Sequence, residues 1–187
     1  MQTFGIHTVE SAPEKSKPAL EGLKKNFGFI PNTAAIMSES SVLIGSFVGA
    51  FGNFHGSTLS AQEKQIVLLT NAVTLKCEWT TAFHSTLALK EGVVATEVTL
   101  IRSGKLPQDA RLAALSRLAK ALIEKTGLRV ETEIERFVAA GYAKNQVLDV
   151  VAGIAISTMA GLTANIAKPP VEDLFKAQAW KAEASQT

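Results

Sequence analysis

Apolar residues recur every three or four positions along nearly the whole chain, and no run alternates apolar and polar residues, so the pattern predicts helices and no sheet. A first helix is expected over residues 18–27, with Ser16 near its cap and Pro18 in the tolerated first turn; the segment GFIPN (28–32) reads as a stop and a turn. A second helix covers about 40–54 and ends in His55-Gly56-Ser57-Thr58. The clearest start signal is Ser60 with Glu63 three residues later, a capping box opening a helix over about 61–75 with Ile66, Leu69 and Val73 on one stripe. Further helices are expected over 77–90, 96–102, 109–125 and 130–140, stopped by Gly92, Gly104, Gly127 and Gly141, and over 144–167, stopped by Pro169-Pro170. The polar tail from Val171 reads as an arm through which Phe175 and Trp180 dock. The expected fold is therefore all-α, about eight helices in a single domain over 1–187, with an irregular segment at 1–16 and a C-terminal arm at 171–187.

Composition narrows the function classes. Lys plus Arg number 19 and Asp plus Glu 17, a net charge of only +2, which argues against a nucleic-acid binder with its concentrated basic stripe. Hydrophobic residues at 47% guarantee a core, and a charged share of 19% suits a chain that buries surface between subunits. Residues 150–167 carry no charge, yet Ser157, Thr158, Thr163 and Asn165 interrupt them and no aromatic anchors flank them, so this stretch reads as a buried or interface helix rather than a membrane span. Cys77 is the single cysteine, which excludes an intramolecular disulfide and a zinc site built on several cysteines. The first 18 residues lack a signal-peptide pattern, so a reducing, cytoplasmic setting is expected.

Candidate chemistry concentrates in residues 63–84. Cys77 and His84, seven apart, fall on nearly the same helix face with Thr80 between them, but two turns separate them by about 10 Å. If a helix begins near Lys76, Cys77 sits in its first turn, where the unpaired N–H groups would favour a thiolate; alternatively Cys77 is a small buried apolar residue. Glu63 already has a role in the capping box, and His84 alone is compatible with a hydrogen-bonded core histidine. Neither His7 nor His55 has a partner at ligand spacing, so neither a metal nor a cofactor is called for.

A capped helix start, an apolar helix, then Cys77 followed by His84 and Gly92, framed by GFIPN and by Asn165 before a proline, resembles the AhpD-like / carboxymuconolactone decarboxylase superfamily, in the peroxidase-related branch. The resemblance covers roughly residues 18–175 and implies an all-α fold packed between subunits as a trimer or hexamer. The catalytic branch carries a glutamate, a Cys-x-x-Cys pair and a histidine that relays a proton to activate the outer thiol. Here Cys77 matches the first cysteine and His84 the histidine. Thr80 stands for the second cysteine, Gln65 for the glutamate, and Trp79 lies between. Glu63 is two residues from the glutamate position and points to another side of the helix. A threonine forms no disulfide and a glutamine shuttles no proton, so the two-thiol cycle within one subunit is ruled out on this alignment.

The resemblance implies one-cysteine, thiol-dependent peroxide reduction, with Cys77 as nucleophile, His84 as proton relay, Thr80 as hydrogen-bond donor and an external thiol as reductant. Glu63, Gln65 and Trp79 would support that site. The alternatives are a decarboxylase-like lyase using His84 on a small substrate, and a binding or structural member of the fold whose site has degenerated.

Overall fold

The computed structural model describes residues 4–182, so the first three positions of the expected N-terminal segment and the last five of the expected arm lie outside the described residues. Among the described residues are nine α-helices and two short 3-10 turns: Glu14–Ser16, α1 (Lys17–Phe27), α2 (Asn32–Met37), α3 (Ser41–His55), α4 (Ala61–Thr74), α5 (Glu78–Lys90), α6 (Ala95–Arg102), α7 (Ala110–Glu124), α8 (Glu131–Ala139), α9 (Gln146–Ala167) and Asp173–Gln178. No strand occurs among them. The helix expected from the pattern at each stretch is present, and α2 is an addition: the chain re-enters a helix directly after the GFIPN turn, with Pro31 as its N-cap.

The central element is α4, which packs against α5, α7 and α9. Its start is the capping box read from the sequence: Ser60 Oγ accepts from the Glu63 N–H while the Glu63 carboxylate accepts from the Ser60 N–H. Its apolar inner residues Ile66, Val67 and Leu69 are fully buried among Leu115 and Leu118 of α7 and Val150 and Ile156 of α9. Polar ties fix the helices in register. Asn71 Nδ2 donates to Ile154 O (3.0 Å) and Thr158 Oγ1 (3.1 Å), Thr70 and Ser116 hydroxyls meet at 2.9 Å, and Ser157 Oγ donates to Leu68 O. A second apolar cluster joins Leu20, Leu23, Met37 and Ile44 from α1 to α3, and a third joins Trp79, Phe83 and Phe175.

Two glycines let α9 sit this close. A Cβ at Gly153 would come within 2.7 Å of the Phe54 ring, and one at Gly161 within 2.9 Å of Leu75 Cδ1. By length and composition α9 could cross a membrane. Here one of its faces, including Val150, Gly153, Ile156, Ser157 and Ala160, is buried in the core. The C-terminal segment does dock: Phe175 is fully buried, Arg102 donates to Gln178 and Ala179, and the Trp180 indole donates to Arg102 O.

Candidate functional site

The turn from α4 into α5 sets the site. Lys76 adopts the left-handed conformation (φ 53°), and the N–H groups of Lys76 and Cys77 fold back onto Val73 O and Ala72 O, which caps α4 and redirects the chain. Cys77 then becomes the N-cap of α5, with extended backbone and no side-chain capping bond. From there α5 carries Trp79, Thr80, Phe83 and His84 inward.

His84 is buried and lines a largely apolar cavity of about 40 Å³, walled by Phe27, Phe47, Phe51, Trp79 and Phe83. That is room for roughly three water-sized centres at 10–15 Å³ each. His84 Nδ1 lies 3.1 Å from Gln65 Oε1. An amide oxygen only accepts, so this contact places the imidazole proton on Nδ1 and leaves Nε2 as a bare acceptor for whatever enters the cavity. Burial, with His55 adding repulsion, pushes the His84 pKa down to about 3, so the ring is neutral at physiological pH. The same cavity contains Thr33 from α2, only 2% exposed, whose hydroxyl has no hydrogen-bond partner. Ser157 also lines it, with its hydroxyl already given to Leu68 O.

Cys77 lines a different, more polar cleft of about 370 Å³, together with Lys76, Asn165 and Lys168. Its side chain is buried and packs with Trp79, Phe83, Ala164 and Phe175. Trp79 stands in the wall of both spaces. Its ring stacks on Phe83 at 5.0 Å, and its indole N–H donates to Glu172 Oε2 at 2.9 Å. The other oxygen of Glu172 accepts from the Asn32 N–H at 2.7 Å, so one carboxylate ties the C-terminal segment to α2 and α5 together.

The residues singled out by sequence therefore separate into four places. Gln65 joins His84, and Trp79 flanks both. Cys77 faces its own cleft, and no hydrogen bond links it to His84. Thr80 is fully buried and donates to Cys77 O at 3.5 Å, lining neither cavity. Glu63 is committed elsewhere: besides its capping bond it pairs with Arg111 Nε at 3.0 Å, and Arg111 in turn lies 3.8 Å over the Tyr142 ring. Burial alone would raise the Glu63 carboxyl, but the Ser60 N–H, Arg111 and Tyr142 outweigh it and hold the pKa below the usual value. Sequence reading missed Thr33 and Glu172. The first lies on a helix too short for periodicity to register, and the second meets its partners only after the chain has returned over 93 residues to Trp79. Among the described residues no three of His, Cys, Asp and Glu gather closely enough to hold a metal ion.

Residues 49–128, which include Gln65, Cys77, Thr80 and His84, match the carboxymuconolactone decarboxylase family. No curated protein matches the sequence. Among solved structures, the debrominase Bmp8 C82A in complex with 2,3,4-tribromopyrrole is 16% identical, covering 95% of this chain and 96% of its own, with a TM-score of 0.78. A peroxidase-related protein with an alkylhydroperoxidase AhpD core from Ralstonia eutropha JMP134 is also 16% identical, covering 92% and 93%, with a TM-score of 0.77. A peroxidase-related protein from Silicibacter sp. TM1040 is 15% identical, covering 94% and 93%, with a TM-score of 0.75. At such identities the structures speak for the shared fold, and the match to the carboxymuconolactone decarboxylase family covers the stretch that carries Gln65, Cys77, Thr80 and His84.

Proposed function

We propose that the protein is an enzyme acting on a small, neutral, largely apolar organic molecule held in the aromatic cavity, with the substrate's polar group donating to His84 Nε2. The single observation that carries this reading is the His84–Gln65 contact at the wall of that cavity, which turns one neutral acceptor towards an otherwise apolar space. No lysine or arginine lines the cavity, so nothing there compensates a carboxylate, and a neutral substrate fits better than the carboxylated one of a decarboxylase. His84 then acts as a neutral hydrogen-bond acceptor that orients the substrate's polar group. The reaction class is a non-redox lyase or isomerase step in which Gln65 positions the ring.

The test uses 1-butanol and diethyl ether, isomers of which only the alcohol donates. Binding is followed by the NMR shifts of the Trp79 indole N–H and the His84 ring. The native protein is expected to prefer the alcohol about tenfold, the worth of one buried hydrogen bond. Substitution His84→Leu should abolish the preference while retaining weak binding of both. Equal binding of the two by the native protein would overturn the proposal.

A second reading, thiol-dependent reduction of peroxides, is favoured by the place of Cys77 as the N-cap of α5 at the edge of a polar cleft with Lys168. There the thiol sulfur would attack the O–O bond of a hydroperoxide, releasing the alcohol and leaving a sulfenic acid that an external thiol reduces. A stoichiometric pulse of tert-butyl hydroperoxide followed by intact mass measurement separates the readings. Rapid gain of one oxygen, absent in Cys77→Ser, supports the thiol; oxidation no faster than that of a free thiol removes it. A reducing, cytoplasmic setting and assembly of several copies belong to either reading.

A further inference from the structure

We infer that Glu172 sets the size of ligand that the His84 cavity admits, by pinning two of its walls together. This rests on the reading that the substrate occupies that cavity.

One wall comes from the start of α2, where Pro31 and Thr33 line the cavity on either side of Asn32. Another comes from α5, through Trp79, Phe83 and His84. The two helices do not hold each other: α2 packs on α3 and α9 rather than on α5. The Glu172 carboxylate joins them. One oxygen accepts from the Asn32 N–H at 2.7 Å and the other from the Trp79 indole N–H at 2.9 Å. Pro31 is the N-cap of α2 and makes no side-chain capping bond, so a carboxylate 140 residues further along supplies an acceptor to that first turn. The neighbouring chain supports the same clasp. Asn32 Nδ2 donates to Pro170 O at 2.9 Å, and the Phe175 ring meets Phe83 edge-on at 4.9 Å.

Hydrogen bonds to a charged acceptor are among the stronger ones, and here two converge on one group. While both hold, the α2 and α5 walls keep their separation, and the space they help enclose is about 40 Å³, enough for a few heavy atoms. Without the carboxylate the two donors lose their shared acceptor, the walls are free to part, and a wider ligand fits. Glu172 does not itself line the cavity. It is a positioning residue that acts on the ligand through Asn32 and Trp79.

The experiment compares 1-butanol with cyclohexanol, each with one hydroxyl for His84, of which the ring is the wider. Binding is read by NMR from the His84 ring signals in the native protein, Glu172→Ala, Glu172→Gln and Arg102→Gln. Native protein is expected to bind cyclohexanol no more tightly than 1-butanol, although cyclohexanol is the more apolar. In Glu172→Ala the ratio of cyclohexanol to butanol affinity should rise about tenfold, the worth of two further carbons once they are buried. Glu172→Gln keeps one acceptor oxygen, and its ratio should fall between the two. Arg102→Gln releases Gln178 and Ala179 further along the same segment and leaves Glu172 in place, so its ratio should stay native. A native preference for cyclohexanol, or a native ratio in Glu172→Ala with butanol still bound, overturns this inference alone. So does an equal rise in Arg102→Gln, which would assign the effect to loosening of the whole segment. Failure of both alcohols to bind native protein and Glu172→Ala alike overturns it together with the His84 reading.

Discussion

The imidazole Nδ1 of His84 sits 3.1 Å from the side-chain oxygen of Gln65, twelve residues before Cys77, so an amide occupies the place where the resemblance puts a carboxylate. A carboxylate there would stabilise the imidazolium; the amide does not. Substitution Gln65→Glu is therefore expected to raise the His84 pKa from about 3 by roughly one to three units, as an opposite charge beside a buried group does. Substitution Gln65→Leu leaves the buried Nδ1–H unpaired and should cost about 1–3 kcal/mol of stability. Ring titration by NMR reads the first and chemical denaturation the second. An unchanged His84 titration in Gln65→Glu would show that the contact does not govern the ring.

The same depressed pKa links stability to pH. An unfolded histidine titrates near 6.5, while His84 folded titrates near 3, so between these values the unfolded chain binds the extra proton. The contribution is fully present above about pH 6.5 and is lost as pH falls towards 3. Native protein should therefore lose about 1.4 kcal/mol per pH unit more than His84→Gln across that window. Denaturation at pH 4, 5, 6 and 7 for both proteins checks the slope; parallel curves would contradict it.

How much of this was legible in the sequence follows from range. The capping box of α4 and the glycine stops are local, and the structure has them where the pattern put them. Gln65 and His84 were singled out through the resemblance, and their contact needs only the packing of α4 on α5. Spacing alone put Cys77 and His84 on one helix face, which says nothing of what each meets; Trp79 and the aromatic cluster divide their surroundings. Helix α2 was missed because six residues after a proline carry too little periodicity, and Thr33 went with it. Glu172 looked like a solvated residue in a polar tail, since its partners are 93 and 140 residues away in the chain.

Glu172 has two acceptors in use, on Trp79 and on Asn32, so its loss should loosen both the C-terminal segment and the first turn of α2. Substitution Glu172→Ala is expected to lower stability by about 1–3 kcal/mol, the range for hydrogen bonds to a charged group. Amide exchange should quicken at residues 32–34 and 171–179 but not in α7. Uniform acceleration across the chain would mean that Glu172 acts on global stability and not as a strap.

Gly153 tests the packing of α9. Its added Cβ would meet the Phe54 ring at 2.7 Å and Val67 Cγ1 at 2.9 Å, contacts that real side chains do not tolerate. Although alanine is the better helix former by about 1 kcal/mol, Gly153→Ala should destabilise by about 1–3 kcal/mol through overpacking. Gly22 on α1 has open space around it, so Gly22→Ala should instead be neutral or stabilising. Melting of the two variants side by side decides; a stabilised Gly153→Ala would show that α9 can move away from α3 and α4.

The outer face of α9 leads to the last expectation. Leu148, Val151, Leu162 and Ile166 are 71%, 45%, 51% and 69% exposed, and Val42 at the start of α3 is 77% exposed. Ile166 shares a groove with Leu43 and Phe4, so this apolar surface runs from α9 onto α3. Also on α3, Gly45, Gly49 and Gly52 have nothing within 4 Å of an added Cβ. An exposed apolar patch of this kind is unfavourable in water unless covered. Assembly of several copies through this face is the expectation that would account for it and for the low charged share of the chain. Light scattering should give a mass that is a multiple of 19.9 kDa. The double substitution Leu162→Glu, Ile166→Glu should reduce that mass to one chain while leaving helix content intact, because both side chains point away from the core. A native mass of 19.9 kDa would refute the assembly, and an unchanged multiple in the double variant would move the contact to another face.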